Sequence, residues 1–228
     1  MRKKVVIFAA VIVVIAAVLI GWDIANRSGN RSAQSSSQTS VASASSGSAS
    51  GSSKSGKVDK NGKTLIVYFS RTNGVYNGPL KIGNTKRVAD FIQRKTGGDE
   101  YEIVPVKDYP SSYEATTRVA QQEQNDNARP KIKNKLPDVS GYDNVFVGAP
   151  VWWGEYPMVV RTFLDGVNLN GKHVIPFTTH EGSGLGNTPE TLRRQYPKAD
   201  VLRGLGVRGS DAANSQGAVD RWLTSLGY

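Results

Sequence analysis

The chain has 228 residues, a formal net charge of +10 and no cysteine. The lack of cysteine excludes disulfide bonds, thiolate zinc sites, cysteine-ligated iron–sulfur clusters and cysteine nucleophiles. Residues 1–56 carry six basic residues and one acidic residue, and the remainder carries 23 basic and 18 acidic residues, a net charge of +5. This mild excess, with no arginine-rich run and no basic stripe interleaved with aromatic residues, argues against a nucleic-acid partner.

The N-terminus has the pattern of a membrane anchor. A basic cluster at residues 2–4 precedes eighteen uncharged, almost wholly apolar residues, 5–22. At ~1.5 Å per helical residue this stretch spans about 27 Å, close to the hydrocarbon thickness of a bilayer. The positive-inside rule puts the N-terminus in the cytoplasm and the chain after Trp22 on the extracytoplasmic side. We therefore predict an uncleaved signal-anchor over residues 1–27 and a single-pass protein of the cell membrane.

A cleaved signal peptide is the alternative, and it would give a secreted protein. The apolar run is long for a signal peptide, and no small-x-small cleavage site closes it. A lipoprotein is excluded, because the chain has no cysteine to lipidate.

A serine-rich stretch follows the apolar run. Residues 28–56 contain fourteen serines and almost no side chain that is apolar enough to pack. This composition is typical of a flexible linker, and a random coil of about 29 residues has an end-to-end distance of roughly 30 Å. We predict a linker over 28–62 and one folded domain over 63–228.

In the predicted domain, short apolar runs rich in β-formers alternate with segments of helical periodicity. The predicted strands are 64–69, 101–104, 144–148, 173–178 and a fifth at 200–202 or slightly later, and the predicted helices are 84–95, 112–127, 158–164, 188–195 and 214–226. This alternation indicates a doubly wound α/β fold in three layers, with parallel strands and right-handed crossovers. Ligands of such sheets lie beyond the carboxyl ends of the strands.

The first strand is followed by a polar turn in two parts. The first part is Ser70, Arg71 and Thr72, and the second part, at the start of the next helix, is Gly83, Asn84 and Thr85. Hydroxyl groups, a glycine and the free N–H groups of a helix N-terminus are suited to binding a phosphate group. The alternative is that Asn84 or Thr85 only caps the helix. An insert at 73–82 separates the two parts.

The third strand is followed by an aromatic loop. Its residues are Pro150, Val151, Trp152, Trp153 and Gly154. Large aromatic side chains are costly to expose, so the loop indicates either a face for a flat ring or packing onto the core. Because consecutive side chains of an extended segment point in opposite directions, we expect only one tryptophan to stack on a ligand.

The fourth strand is followed by a glycine-rich loop. Its residues are Thr179, His180, Glu181, Gly182, Ser183 and Gly184. Glycines permit close approach of a ligand to the backbone, although this spacing of glycines is a weak pattern on its own. A lone histidine such as His180 is more often a surface or structural residue. Taken together, the three loops suit a phosphate end, a flat ring and a polar ring edge, which describes flavin mononucleotide (FMN).

These segments resemble the flavodoxins, in particular those with a short Ser-x-x-Gly-Asn-Thr turn. The matching motifs are YFSRT at 68–72 with GNT at 83–85, GAPVWWG at 148–154 and THEGSG at 179–184. The resemblance covers residues 63–228 and implies a five-stranded sheet of order 2-1-3-4-5 with FMN as cofactor and no metal. It further implies that residues 150–154 flank the isoalloxazine, that residues 179–184 line its other edge, and that the phosphate is held by Ser70, Thr72, Asn84 and Thr85.

The expected function is that of a redox carrier rather than a classical enzyme. We expect a monomeric FMN domain, tethered outside the cell membrane, that exchanges electrons with an unidentified partner. The insert at 73–82 and the basic charge depart from typical acidic flavodoxins. Two alternatives remain open: an FMN-dependent quinone or nitro reductase, and a flavin-free module that binds anionic cell-wall polymer or a protein partner.

Overall fold

The structure is a computed structural model, and it describes residues 56–228. The predicted signal-anchor over 1–27 and the predicted linker up to residue 55 lie outside the described residues. Between residues 56 and 228, no helix is both long and apolar enough to cross a bilayer.

A parallel sheet forms the centre of the domain. Its strands are β1 (Thr64–Tyr68), β2 (Asp99–Glu102), β3 (Asn144–Pro150), β4 (His173–His180), β5 (Asp200–Val201) and β6 (Leu205–Arg208). Their order is β2-β1-β3-β4-β5, and β6 also pairs with β4. All these pairings are parallel. The observed order confirms the predicted order 2-1-3-4-5.

The fifth strand of the predicted sheet is split into β5 and β6. His173 of β4 pairs with Asp200, and Phe177 pairs with Leu205, so four steps along β4 correspond to five along its neighbour. One extra residue is therefore accommodated between β5 and β6, as in a bulge at a sheet edge. The strand continues beyond the predicted 200–202 and carries the chain to Gly209 at the carboxyl end of the sheet.

Helices cover both faces of the sheet. They are α1 (Asn84–Thr96), α2 (Tyr113–Asn125), α3 (Met158–Gly166), α4 (Thr188–Gln195) and α5 (Gln216–Leu226), with a 3₁₀ turn at Gly209–Asn214. Side chains alternate between the two faces of a strand. Accordingly Ile66 packs with Val88 of α1 and Val219 of α5, whereas Leu65 packs with Phe163 of α3 on the opposite face. The predicted three-layer architecture is confirmed.

Three boundaries differ from the predictions. Strand β2 begins at Asp99, not at residue 101, because this edge strand is mostly exposed and has charged residues where an apolar run was sought. Helix α5 begins at Gln216, after the 3₁₀ turn. Residues 56–62 pack on the domain: the Val58 N–H donates to the Leu226 carbonyl (3.0 Å), and the Asn144 amide donates to the Asp59 carbonyl (2.8 Å). The folded unit thus begins before residue 63.

Candidate functional site

A cavity of about 450 Å³ lies at the carboxyl end of the sheet. Twelve of the seventeen predicted site residues line it: Arg71, Asn84, Thr85, Pro150, Val151, Trp152, Trp153, Thr179, His180, Glu181, Gly182 and Ser183. Five do not, namely Ser70, Thr72, Gly83, Gly154 and Gly184. The loops after β1, β3 and β4 therefore converge on one site.

The two parts of the first turn are in contact despite the insert between them. The Ser70 hydroxyl accepts a hydrogen bond from the Lys86 N–H in the first turn of α1 (3.0 Å). The Leu80 N–H donates to the Thr72 carbonyl (2.8 Å), which closes the insert at its base. Residues 73–82 therefore form a loop that is closed at its base, and the insert does not separate Ser70 from the start of α1. Ser70 therefore caps the helix from a distant position in the chain. The sequence had suggested this capping role only for Asn84 and Thr85.

Ser70 and Thr72 do not line the main cavity. Both line a second hollow of about 500 Å³ near the ends of β1 and β2. The predicted phosphate group of four residues is thus divided, and only Asn84 and Thr85 face the main cavity. Sequence spacing could not reveal this division, because it depends on the direction in which the chain leaves β1.

The N-terminus of α1 has the features of an anion site. Gly83 is its N-cap residue and makes no side-chain cap hydrogen bond, and the first turn contains no acidic residue. Ser70 occupies the Lys86 N–H, and the remaining N–H groups of the first turn and the positive end of the helix dipole attract anions there. The Thr85 hydroxyl is 2.8 Å from that of Thr179, so it joins the start of α1 to the end of β4.

Arg71 lines the cavity, and both terminal nitrogens of its guanidinium donate to protein oxygens. Nη1 donates to the Thr116 hydroxyl (3.0 Å), and Nη2 donates to the carbonyls of Tyr109 (3.0 Å) and Pro110 (2.9 Å). Burial lowers the pKa of the guanidinium. Arg71 therefore links the first loop to the β2–α2 connection through three of its five N–H donors.

The two tryptophans have different environments. Trp152 packs edge-on against Phe69 (ring centroids 5.7 Å apart, 90°) and Tyr109 (4.9 Å, 83°). The Trp153 side chain is 50% exposed, and its indole N–H donates to the Thr117 carbonyl of α2 (3.0 Å). Trp152 is held by the core, and Trp153 has a free face.

Trp153 also lies in a strained turn. Trp152 and Glu155 exchange two backbone hydrogen bonds (2.9 and 3.0 Å), and the residues between them, Trp153 and Gly154, have φ of 50° and 81°. Two consecutive left-handed residues are typical of a type I′ hairpin turn. A left-handed conformation costs a non-glycine residue about 1–3 kcal/mol, and such residues cluster at active sites and ligand-binding segments.

The end of β4 and the loop after it place His180 and Glu181 on the cavity wall. The Gly182 N–H donates to Nδ1 of His180 (3.0 Å). Burial, followed by the positive charge of Arg208, lowers the pKa of His180. Burial raises the pKa of Glu181, Arg208 opposes that shift, and Asp211 adds to it.

Two exposed tyrosines that were not predicted from the sequence also line the cavity. Tyr76 of the insert and Tyr113 of α2 are 52% and 44% exposed, and their ring centroids are 5.7 Å apart. With Trp153 they form the aromatic rim of the cavity (Tyr76, Tyr113 and Trp153). The available signal was the tyrosine in an insert otherwise rich in turn residues. Tyr113 had no local signal, because only the fold brings the start of α2 to the cavity.

The comparisons with known proteins agree with this geometry. Residues 63–226 match the profile of a family described as flavodoxin. A candidate flavoprotein from Bacteroides eggerthii is 33% identical, with 74% of this chain and 99% of that chain covered and a TM-score of 0.61. One from Bacteroides uniformis is 30% identical, with coverage of 72% and 98% and a TM-score of 0.60. A search among curated proteins found no match.

A more distant structure shares the fold. A flavoprotein from Lactobacillus acidophilus, solved in complex with FMN, is 22% identical, with 68% of this chain and 99% of that chain covered and a TM-score of 0.51. The strand order, the three loops at the carboxyl end of the sheet and the family match over 63–226 all point the same way. The chain belongs to the flavodoxin family.

Proposed function

We propose that the domain binds FMN in the main cavity and that the protein carries electrons on the outer side of the cell membrane. The observation that carries the proposal is the convergence of three loops on one cavity, with a helix N-terminus and an exposed tryptophan among its walls. The FMN complex of the similar Lactobacillus acidophilus flavoprotein gives the choice of flavin further support.

The described residues fit the parts of FMN. The N-terminus of α1, with Asn84 and Thr85, suits the phosphate. The free face of Trp153 suits the isoalloxazine, and the loop after β4 suits its polar edge. When bound, FMN supplies the redox chemistry, and the protein supplies binding, orientation and electrostatics.

The first test is the colour of the protein. The full chain, purified in detergent and mixed with FMN, is expected to be yellow, to quench FMN fluorescence on binding and to release FMN on denaturation. A colourless protein that leaves the fluorescence of added FMN unchanged would refute the proposal. If that colourless protein bound anionic polymer in a salt-sensitive manner, the flavin-free alternative would be favoured.

A reductase is the second candidate, and the aromatic rim favours it. Tyr76 and Tyr113 are exposed at the cavity, yet neither is among the residues expected to hold FMN. They extend the aromatic surface beyond those loops, where a second planar molecule would find a stacking face. Steady oxidation of NADH or NADPH by the FMN-loaded protein, with a quinone or nitro compound as acceptor, distinguishes a reductase from a carrier.

The location outside the membrane rests on the sequence of residues 2–22. We expect the full chain to sediment with membranes, to resist extraction by high salt and to be released by detergent. A protease added to intact cells should remove the domain. Replacing Arg2, Lys3 and Lys4 by glutamate should reduce that sensitivity, because the basic cluster sets orientation. Soluble, N-terminally shortened protein in the medium would instead indicate a cleaved signal peptide.

A further inference from the structure

His180 is held in one tautomer by its own loop. It is the last residue of β4, and it lies on the cavity wall. Its Nδ1 accepts a hydrogen bond from the Gly182 N–H (3.0 Å). A nitrogen that accepts a hydrogen bond carries no proton, so the proton of the neutral imidazole is on Nε2. Nε2 is therefore the nitrogen left to interact with a ligand, and it does so as a donor.

The surroundings favour the neutral imidazole. Arg208 of β6 is the register partner of His180, Glu181 follows it in the chain, and Asp211 lies in the adjoining 3₁₀ turn. Burial and Arg208 both lower the pKa of His180. Protonation of Nδ1 would also set two N–H donors against each other, since the Gly182 N–H points at that atom. The protonated imidazole of His180 therefore cannot keep the hydrogen bond from the Gly182 N–H.

We propose that His180 donates a hydrogen bond from Nε2 to an acceptor atom on the polar edge of the flavin, and that the Gly182 N–H keeps the imidazole in the tautomer that can do so. This inference rests on the proposed binding of FMN. A donor at this edge stabilises the negative charge that reduction adds to the ring system. His180 thus binds the reduced cofactor more tightly than the oxidised one and raises the midpoint potential.

Two substitutions separate the two nitrogens. His180→Asn keeps an acceptor, Oδ1, at the position of Nδ1 and removes the distal donor. His180→Gln keeps a distal N–H donor and loses the acceptor next to the ring's Cγ. His180→Phe keeps an aromatic ring and removes both functions. The Asn and Gln variants therefore serve as matched controls for each other.

The experiment measures the dissociation constants of oxidised and reduced FMN for the full chain and the three variants. For His180→Asn and His180→Phe, we expect the ratio of the reduced to the oxidised constant to rise about tenfold. For a two-electron couple this is a fall in midpoint potential of about 30 mV. His180→Gln should stay within about threefold of the wild type. If His180→Asn matches the wild type, the inference is overturned, whatever the Gln variant does.

A second readout needs no flavin. The chain has two histidines, so a His173→Gln variant assigns the imidazole ¹⁵N signals. In the flavin-free protein we expect His180 as the Nε2–H tautomer, titrating below its ordinary pKa of 6.5. An Nδ1–H tautomer would overturn the inference on its own. A wild-type chain that binds no FMN refutes the proposed function instead, and the tautomer measurement then shows whether the His180 geometry was correct.

Discussion

A Trp153→Ala variant is expected to bind FMN roughly 10- to 100-fold more weakly than the wild-type chain, with little change in its unfolding temperature. Stacking of a planar base on an aromatic side chain is worth about 1–3 kcal/mol by alanine substitution, and the isoalloxazine presents a comparable face. Stability should change little because Trp153 is half-exposed, so its truncation leaves no void in the core. Fluorescence titration measures the affinity, and circular dichroism measures the unfolding temperature.

Trp152→Ala is the matched control, because the neighbouring ring is held by the core. Loss of its edge-on contacts with Phe69 and Tyr109 should lower the free energy of unfolding by about 3 kcal/mol, the low end of the range for such truncations. If Trp152→Ala weakens FMN binding in the folded protein more than Trp153→Ala does, the stacking residue is Trp152. If neither variant weakens binding, the flavin does not stack on this loop.

A Gly83→Ala variant is expected to lose both stability and FMN affinity. An added Cβ would lie 2.2 Å from the Ser70 hydroxyl oxygen and 2.6 Å from the Arg71 carbonyl oxygen. A backbone oxygen cannot turn aside as a flexible side chain can, so the start of α1 must move away from the first loop. We expect a loss of about 1–3 kcal/mol in the free energy of unfolding, as for other overpacked sites, and at least tenfold weaker FMN binding.

Gly141→Ala is the control for this substitution. An added Cβ at Gly141 has no neighbour within 4 Å, so stability and affinity should match the wild type. Denaturant unfolding and FMN titration of both variants make the comparison. A Gly83→Ala protein with wild-type stability and wild-type affinity would show that the two parts of the first turn do not touch.

The sequence was most informative where local pattern and topology coincide. Buried strands such as β1 and β3 are apolar after their first residues, Thr64 and Asn144, so they could be recognised without knowledge of their neighbours. The alternation of strands with helices then set their parallel arrangement and the edge of the sheet at which ligands bind. The three loops were found for that reason, and twelve of their predicted residues do line the cavity.

The contacts that could not be predicted join segments far apart in the chain. The Leu80 N–H closes the insert on the Thr72 carbonyl, and a backbone hydrogen bond leaves no signature in side-chain chemistry. Arg71 donates to the carbonyls of Tyr109 and Pro110, and these contacts could not be predicted because residues 109 and 110 are about 40 positions away in the chain. Tyr113 reaches the cavity only because α2 begins there.

The two ends of the domain meet at the amino end of the parallel strands, and the cavity lies at the carboxyl end. The Val58 N–H donates to the Leu226 carbonyl, and Thr64, the first residue of β1, shares a hydrogen bond with the Tyr228 hydroxyl (2.8 Å). The cavity lies at the other end of the strands, and a strand as long as β4, with eight residues, spans about 26 Å. A domain fixed to an electrode through either of its ends would therefore hold the cavity away from the electrode surface. With that attachment, voltammetry of the FMN-loaded protein should need a diffusible mediator. Attachment through a residue of the aromatic rim should allow direct electron exchange between FMN and the electrode.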